Sequence, residues 1–171
     1  LYPFQFYYED LSVFDFNCIE WHWHTELEFI YIESGTVTLW IGEDQFHLTE
    51  GNGVFINTKV LHRLYSPSKA LIPNFVFMPS FIAPCDSLIY QKYILPIISS
   101  SLPFLVFHKK VCWQAKVLSI MRQIISAQDS VLSKELLTSS LLQNLWLEIF
   151  ENTDISYQEE HKDHSTASQA R

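Results

Sequence analysis

Glycine and cysteine are both scarce in this sequence. Only four of its 171 residues are glycine and three are cysteine. So few glycines exclude a collagen-like or low-complexity chain. The cysteines (Cys18, Cys85 and Cys112) are odd in number and form no Cys-x-x-Cys pair, which argues against a disulfide framework and a cysteine zinc site. We therefore expect free thiols in a reducing compartment, the cytoplasm.

Basic residues and long apolar runs are also lacking. Eleven Lys and Arg face nineteen Asp and Glu, which gives a formal net charge of −8. DNA and anionic membranes are held by basic faces, so this segment alone is not expected to bind either. No apolar run approaches the roughly 18 residues of a spanning helix. Glu9, Asp10 and Asp15 stand where a signal peptide would be apolar.

The sequence is rich in apolar residues (48%) and aromatic residues (15%), enough for one domain with a thick core or a ring-lined pocket. Up to about residue 78, short β-branched and aromatic runs alternate with turn residues. The strands predicted on this basis are Leu27–Ile32, Thr36–Ile41, Gln45–Leu48, Gly53–Ile56, Leu61–Ser66 and Leu71–Met78. Many short strands with no helix between them predict an antiparallel sandwich or barrel.

Two further segments are open to two interpretations each. The aromatic start, Tyr2–Tyr8, fits either an ordinary first strand or an arm that closes over a ligand. Phe104–Phe107 fits either one more strand or a buried connector.

The second half of the chain changes to helical spacing. A short helix is predicted over about 86–98, a second helix begins near Cys112, and a third covers about 132–151. The apolar face of the third helix is wide and includes Leu137, Leu141, Leu142, Leu145, Trp146 and Ile149. We expect this face to form a dimer interface, the alternative being that it packs on the first half of the same chain.

The pattern divides the chain into three segments. Residues 1–110 form the β-rich part, 111–151 a helical dimerisation segment and 152–171 a polar linker in which His161 and His164 are solvated. Because the first residue is Leu1 rather than Met and the end is polar, we expect a fragment of a longer protein.

A cluster of titratable residues carries the clearest chemical signal. Four alternate positions of one stretch hold imidazoles or carboxylates, which would share one face of a strand: His22, His24, Glu26 and Glu28. A further imidazole, His62, lies on a later strand. Three imidazoles and one carboxylate suit Zn, Ni, Mn or Fe(II). The candidate metal ligands are His22, His24, Glu28 and His62, and the alternative is a metal-free polar lining.

These residues resemble the cupin barrels. The spacing His22-x-His24-x3-Glu28-x6-Gly35 matches the first motif of that family, and Gly51 to His62 resembles the second, with His62 at the fourth ligand position.

Two turn positions depart from the cupin pattern. Phe16 stands where the first motif usually has a glycine, and Asn57 and Lys59 replace the usual Pro-x-Gly before the last histidine. The ligand positions match while the turns do not, which weakens an enzymatic function more than it weakens the fold.

Nearly the whole chain resembles the N-terminal domain of AraC-type transcription regulators. His24–Gly35 resembles the start of that barrel, Gly51–Ile56 and the turn before His62 its middle, and Leu137–Phe150 its dimer helix. The resemblance implies a mainly β fold with C-terminal α structure: a cupin-like antiparallel β-barrel (jelly roll) followed by a two-helix dimerisation hairpin. It also implies a homodimer that contacts DNA only through a C-terminal helix-turn-helix domain absent from this chain.

The function that this resemblance implies is effector sensing, with no enzymatic activity and no required cofactor. A small effector, for which a carbohydrate is the leading expectation, would bind in the barrel and control DNA binding. The residues expected to line that site are His22, His24, Glu28, Trp40, His62 and Phe77. The alternatives are a metal-dependent cupin enzyme, such as a dioxygenase or sugar isomerase, and a sugar-binding module without regulation.

Overall fold

The computed structural model describes residues 2–154, so the predicted linker, with His161 and His164, lies almost entirely outside the described residues. The strands are β1 (Phe4–Asp10), β2 (Cys18–His22), β3 (Leu27–Tyr31), β4 (Thr36–Ile41), β5 (Asp44–Thr49), β6 (Gly53–Ile56), β7 (His62–Tyr65), β8 (Leu71–Phe77) and β9 (Phe104–Phe107). The helices are α1 (Leu95–Ile98), α2 (Cys112–Ala127) and α3 (Lys134–Glu151).

The strands form two antiparallel sheets that pack face to face. The first sheet has the order β1-β8-β3-β6-β9 and the second has the order β2-β7-β4-β5. In the part of the chain that the structure describes, the ladders end at β1 and β9 in one sheet and at β2 and β5 in the other. The architecture is therefore a two-sheet sandwich with C-terminal helices.

Both segments that the sequence left open are strands. β1 pairs with β8 along its whole length, from Phe4 opposite Phe77 to Asp10 opposite Leu71. The aromatic start is therefore a strand of the first sheet. β9 pairs with β6 in the same sheet. The helix predicted over 86–98 is shorter: a π-helical stretch, Tyr90–Ile94, runs into α1.

Two glycines occupy positions where a larger residue would clash with its surroundings. Gly35, in the connection between β3 and β4, has φ +88°, and a Cβ there would lie 2.7 Å from the carbonyl oxygen of Lys69. Gly53 begins β6, and a Cβ there would lie 2.8 Å from Leu118 Cδ2. Its missing side chain lets α2 approach the first sheet closely.

One core lies between the two sheets. Because side chains alternate along a strand, every second residue of each sheet points inward. Leu39 of the second sheet and Val54, Ile56 and Ile72 of the first sheet are fully buried there.

A second core covers the outer face of the first sheet. Five phenylalanines from four strands form an aromatic layer under α2 and α3: Phe29, Phe55, Phe75, Phe77 and Phe107. The ring of Phe29 stacks on that of Phe75 at 5.4 Å between centroids. Among the described residues, the helices cover the first sheet and not the second, so the first sheet is buried on both faces.

The predicted dimer residues belong mostly to this second core. Four of them are at most 3% exposed within the single chain: Leu142, Leu145, Trp146 and Ile149. The Trp146 indole N–H also donates a hydrogen bond to the carbonyl of Tyr93 at 2.8 Å. The interpretation of these four as a dimer interface was wrong, because α2 and the first sheet of their own chain bury them. Leu141 is partly buried in the same layer, and Leu137 is 40% exposed.

Within the described range, no helix combines the length and the apolar character needed to cross a membrane.

Candidate functional site

A register shift in β2 aims His22 into the sandwich. The pairing of β2 with β7 is irregular between Ile19 and His22, and His22 lies opposite His62 in the ladder. A bulge turns the side chains that follow it, so Ile19 and His22 both line the same cavity although they are three positions apart. The expectation that one strand carries the cluster was wrong: β2 ends at His22 and β3 starts at Leu27.

The structure nevertheless brings the four predicted metal ligands together. One ligand atom from each of His22, His24, Glu28 and His62 lies within 4.8 Å of those of the others. Glu28 Oε2 is 3.1 Å from His24 Nε2 and 3.1 Å from His62 Nε2. Glu26 lies at the edge of this cluster, with its carboxylate 3.9 Å from His24 Nδ1.

The backbone fixes the orientation of all three imidazoles. His22 Nδ1 lies 2.8 Å from the carbonyl of Glu20, His24 Nδ1 3.0 Å from that of Glu26, and His62 Nδ1 2.9 Å from that of Val60. A carbonyl only accepts, so each Nδ1 carries the proton, and each Nε2 of a neutral ring is an acceptor. Three acceptor nitrogens therefore converge on one carboxylate.

The charges in this cluster depend on one another. Burial raises the pKa of Glu28, but the His24 and His62 imidazoles outweigh burial and hold that pKa at about 2. The hydrogen bond to Glu28 raises the pKa of His24, whereas burial lowers the pKa of His22. Without another cation, a proton on His24 is the charge that balances Glu28.

The donor set fits a divalent ion. His62 Nε2 is fully buried and makes no hydrogen bond within the described residues, although it is 3.1 Å from Glu28 Oε2. At that distance the carboxylate needs a positive charge beside it, either a proton on an imidazole or a cation between these atoms. Histidines that bind a metal through one ring nitrogen typically donate the other ring N–H to a carbonyl or carboxylate, as each Nδ1 does here. The nitrogen-rich set with one carboxylate suits Zn, Ni, Mn or Fe(II).

A cavity of about 260 Å³ adjoins the cluster. It lies where the edge strands β1 and β2 face each other, and part of its wall is apolar, from Ile30, Leu64, Ile72 and Val76. The polar part of its wall is formed by Gln5, Tyr7, Glu9, His22, His24, Glu26, Glu28 and Asn74. His62 lies behind this wall and is fully buried.

The structure does not bring Trp40 and Phe77 to this cavity. Trp40 lies on the outer face of the second sheet, with the Arg63 guanidinium 5.1 Å from its ring centroid. Phe77 lies in the aromatic layer under the helices. Both residues point away from the space between the sheets, so the prediction that they line the ligand site was wrong.

The sequence analysis missed two polar residues of the cavity wall, Glu9 and Asn74. Asn74 is 3% exposed, and its Nδ2 donates to Glu9 Oε2 at 2.7 Å and to the carbonyl of Ile72 at 3.2 Å. The available signal was an asparagine in the middle of an apolar strand, since an amide there needs hydrogen-bond partners. The alternating polar residues of β1 (Gln5, Tyr7 and Glu9) were a second signal.

Part of the chain matches a known domain family. Residues 18–72 match the model of the cupin domain. The chain is also 27% identical over 107 residues to an uncharacterized HTH-type transcriptional regulator, YdeC of Bacillus subtilis (strain 168), an alignment that covers 60% of this chain and 36% of the relative.

Two solved structures share the fold of nearly the whole chain. ToxT from Vibrio cholerae superimposes with a TM-score of 0.61 and 15% sequence identity over 91% of this chain and 57% of ToxT. Unsaturated-fatty-acid-bound wild-type ToxT gives a TM-score of 0.58 and 14% identity over 91% of this chain and 56% of that protein. The chain thus spans about a third of one relative and just over half of the other. The match over residues 18–72 confirms the predicted cupin motifs, and the curated relative is a transcription regulator of the HTH type.

Proposed function

We propose that this chain, a cupin-domain relative of AraC-type transcription regulators, is the effector-binding part of such a regulator. A small molecule bound between β1 and β2 would control DNA binding by a domain outside this chain. The observation that carries the proposal is the polar cavity of about 260 Å³. Hollow space lowers stability, because the atoms that line it lack packing partners, so an occupant would restore the missing contacts.

Charge and relatedness support the same function. The relative in Bacillus subtilis is an HTH-type regulator that is longer than this chain. The net charge of −8 disfavours phosphate contact here and leaves that contact to another domain. A cytoplasmic location follows from this function.

Effector binding can be tested with a metabolite library of all charge classes. Val76 lines the cavity, so Val76→Phe fills part of it, whereas the exposed Val13 is a matched control position. We expect at least one compound to raise the melting temperature of the wild type and of Val13→Phe but not of Val76→Phe. If no compound does so, or if the shift persists in Val76→Phe, the cavity is not an effector site.

We further propose that the four-residue cluster holds a divalent ion. The convergence of His22, His24, His62 and Glu28 supports this, as does the unpartnered Nε2 of His62. An ion there would act as a Lewis acid toward an oxygen or nitrogen of the ligand. The imidazoles orient the site, and Glu28 supplies its negative charge.

Metal content is measurable in untagged protein. We expect close to one Zn, Ni, Mn or Fe per chain after purification, lost in His62→Ala and kept in His47→Ala, since His47 is exposed on β5. Equal metal in all three proteins would contradict the proposal.

A metal-dependent cupin enzyme is the second candidate function, because the same cluster favours it. An enzyme would convert a library compound that binds the cavity, and product would appear with the wild type but not with His62→Ala. A regulator would bind the compound unchanged and alter the DNA affinity of the longer protein.

We propose self-association through a surface that shares only Leu137 with the predicted one. Near the connection between α2 and α3, Leu132 and Leu136 are 97% and 77% exposed, and Leu137 is adjacent. We expect sedimentation to give a dimer for the wild type and a monomer for Leu136→Glu with Leu137→Glu. A dimer in both proteins would exclude this surface.

Two ligand types gain little support from the cavity. The carbohydrate expectation depended on Trp and Tyr faces for sugar C–H surfaces and on Glu and His groups for hydroxyls. Trp40 lies elsewhere, which leaves Tyr7 as the Trp or Tyr ring among the described residues of the wall. ToxT has been solved with an unsaturated fatty acid bound, but the described residues of this cavity wall include no lysine or arginine to pair with a carboxylate.

A further inference from the structure

We infer that the effector carries a positively charged amino group, which Glu9 and Asn74 bind at the end of the cavity away from the histidines. The inference rests on the proposed function, because it names the ligand class of the same cavity.

The charge of the cavity wall favours a cation. Among the residues that the structure describes, Glu9, Glu26 and Glu28 line the cavity, and no lysine or arginine does. Glu28 belongs to the histidine cluster, with His24 Nε2 and His62 Nε2 each 3.1 Å from its carboxylate, so Glu9 and Glu26 are the carboxylates outside that cluster. The remaining carboxylates attract a cation and repel an anion, most strongly where water is excluded.

The hydrogen bonds of Asn74 fix the orientation of its side-chain amide. The two neighbours of its amide, the Glu9 carboxylate and the Ile72 carbonyl, are both acceptors. The NH₂ group must therefore face them, and the Oδ1 atom is turned to the other side. Oδ1 accepts no hydrogen bond from the residues between Tyr2 and Asp154. This end of the cavity thus presents acceptors, and an ammonium group offers three donors.

Glu9 has no cationic partner among the described residues. Lys69 pairs with the adjacent Asp10, and none of the ion pairs of the described chain involves Glu9. Burial and the charge of Glu28 raise the pKa of Glu9, although its hydrogen bond to Asn74 lowers it. A partly buried carboxylate without a cation is unfavourable. A cationic ligand would supply the missing partner.

The strand register gives the separation of Glu9 and Glu28 along the cavity, which limits the length of the ligand. Along β8, Val76 lies beside Glu28, Asn74 beside Tyr7, and Ile72 beside Glu9. Glu28 and Glu9 are therefore two steps of two residues apart, about 13 Å along the strand direction. Apolar side chains fill the wall between them, and the volume is about 260 Å³. A small amine with a short hydrocarbon body matches these features.

Three compounds with one ring separate charge from shape: cyclohexylamine, cyclohexanol and cyclohexanecarboxylate. Each is titrated at pH 7 into ¹⁵N-labelled protein, and the amide shifts of β1 and β8 are followed by NMR. We expect the amine to shift amides around Glu9 and Asn74 with an affinity at least tenfold above that of the alcohol, and the carboxylate to cause no shift there. This comparison needs no variant.

A pair of variants tests whether Glu9 is the carboxylate that binds the amine. Glu9→Gln keeps an acceptor for Asn74 but loses the charge, and the exposed Glu43 gives the matched control Glu43→Gln. We expect Glu9→Gln to weaken the amine at least tenfold, which corresponds to about 1.4 kcal/mol, and to leave the alcohol unchanged. Glu43→Gln should bind all three compounds like the wild type.

The outcomes separate this inference from the proposed function. The inference is overturned if the carboxylate binds the cavity as tightly as the amine, or if Glu9→Gln binds the amine normally. The effector function survives in both cases, because a small molecule still binds between the sheets. If no ring compound shifts these amides and the metabolite library also fails, both are overturned.

Discussion

The two open edges of the sandwich are built in opposite ways. At the edge formed by β5 and β9, Phe46 and Phe104 meet with ring centroids 4.7 Å apart and fill the space between the sheets. At the edge formed by β1 and β2, Tyr7, Glu9 and His22 surround a cavity instead. The first edge, here called the filled edge, closes the core. The second, here called the hollow edge, leaves the core accessible.

The difference originates in which face of each edge strand is apolar. In β1, Phe4 and Phe6 point toward the outer aromatic layer, while Gln5, Tyr7 and Glu9 point between the sheets. This is the reverse of a simple sandwich, in which the apolar face points inward. The helices make the reversal stable, because they bury the outer face of the first sheet.

The largest expected effect concerns the filled edge. Phe104→Ala should lower the free energy of unfolding by about 3 kcal/mol, since it removes a ring from a packed pair. Tyr7→Ala at the hollow edge should cost less than about 1 kcal/mol, because Tyr7 is 41% exposed. Urea unfolding of both variants measures the difference, and equal losses would show that the two edges are packed alike.

The next effect concerns the polar pair of the hollow edge. Asn74→Leu leaves Glu9 without its hydrogen-bond donor and should cost about 2 kcal/mol. Combining it with Glu9→Met replaces both groups by apolar ones and should restore most of that loss. Additive losses in this double-mutant cycle would mean that the two residues are not coupled.

A smaller effect, a gain in stability, is expected from substitutions at two strained turns beside the hollow edge. Phe16 and Lys59 have φ of 57° and 60°, and they occupy the positions where the cupin motifs usually have glycine. Phe16→Gly and Lys59→Gly should each stabilise the fold by up to about 1 kcal/mol, because glycine adopts this conformation without a steric penalty. Val13→Gly, at an exposed position without positive φ, should instead destabilise; thermal unfolding of the three variants compares them.

The smallest effect is the dependence of stability on pH at Glu9. The folded pKa of Glu9 is raised, so the folded state favours the protonated form, and stability falls as pH rises through the folded pKa. Glu9→Gln removes this dependence of stability on pH. Its stability relative to the wild type should therefore increase between pH 4 and pH 7, by less than about 1 kcal/mol because the group is only partly buried. A constant difference across that range would contradict the raised pKa.

The sequence predicted the strands well wherever the apolar pattern is unambiguous. Thr36–Ile41 and Gly53–Ile56 match β4 and β6 at both ends. It also predicted the convergence of His22, His24, Glu28 and His62, because the spacing of the cupin motifs carries that information. It did not predict the bulge in β2, since register shifts depend on the partner strand.

The errors share one physical cause. Trp40, Phe77 and Leu145 are all apolar residues on regular elements, and the pattern alone does not say which of two partners covers a given face. Phe77 and Leu145 belong to the same core between the first sheet and the helices, which brings together residues distant in sequence. Glu9 and Asn74 were missed for the same reason, because their pairing depends on the β1–β8 ladder.

β8 forms a wall common to two compartments. Asn74 and Val76 border the cavity, while Phe75 and Phe77, which alternate with them, are embedded beneath α2 and α3. Because these two phenylalanine rings are packed under the helices, a shift of β8 that accommodates a ligand would also move the rings. We therefore expect a ligand on one side of the sheet to change the position of the helices on the other.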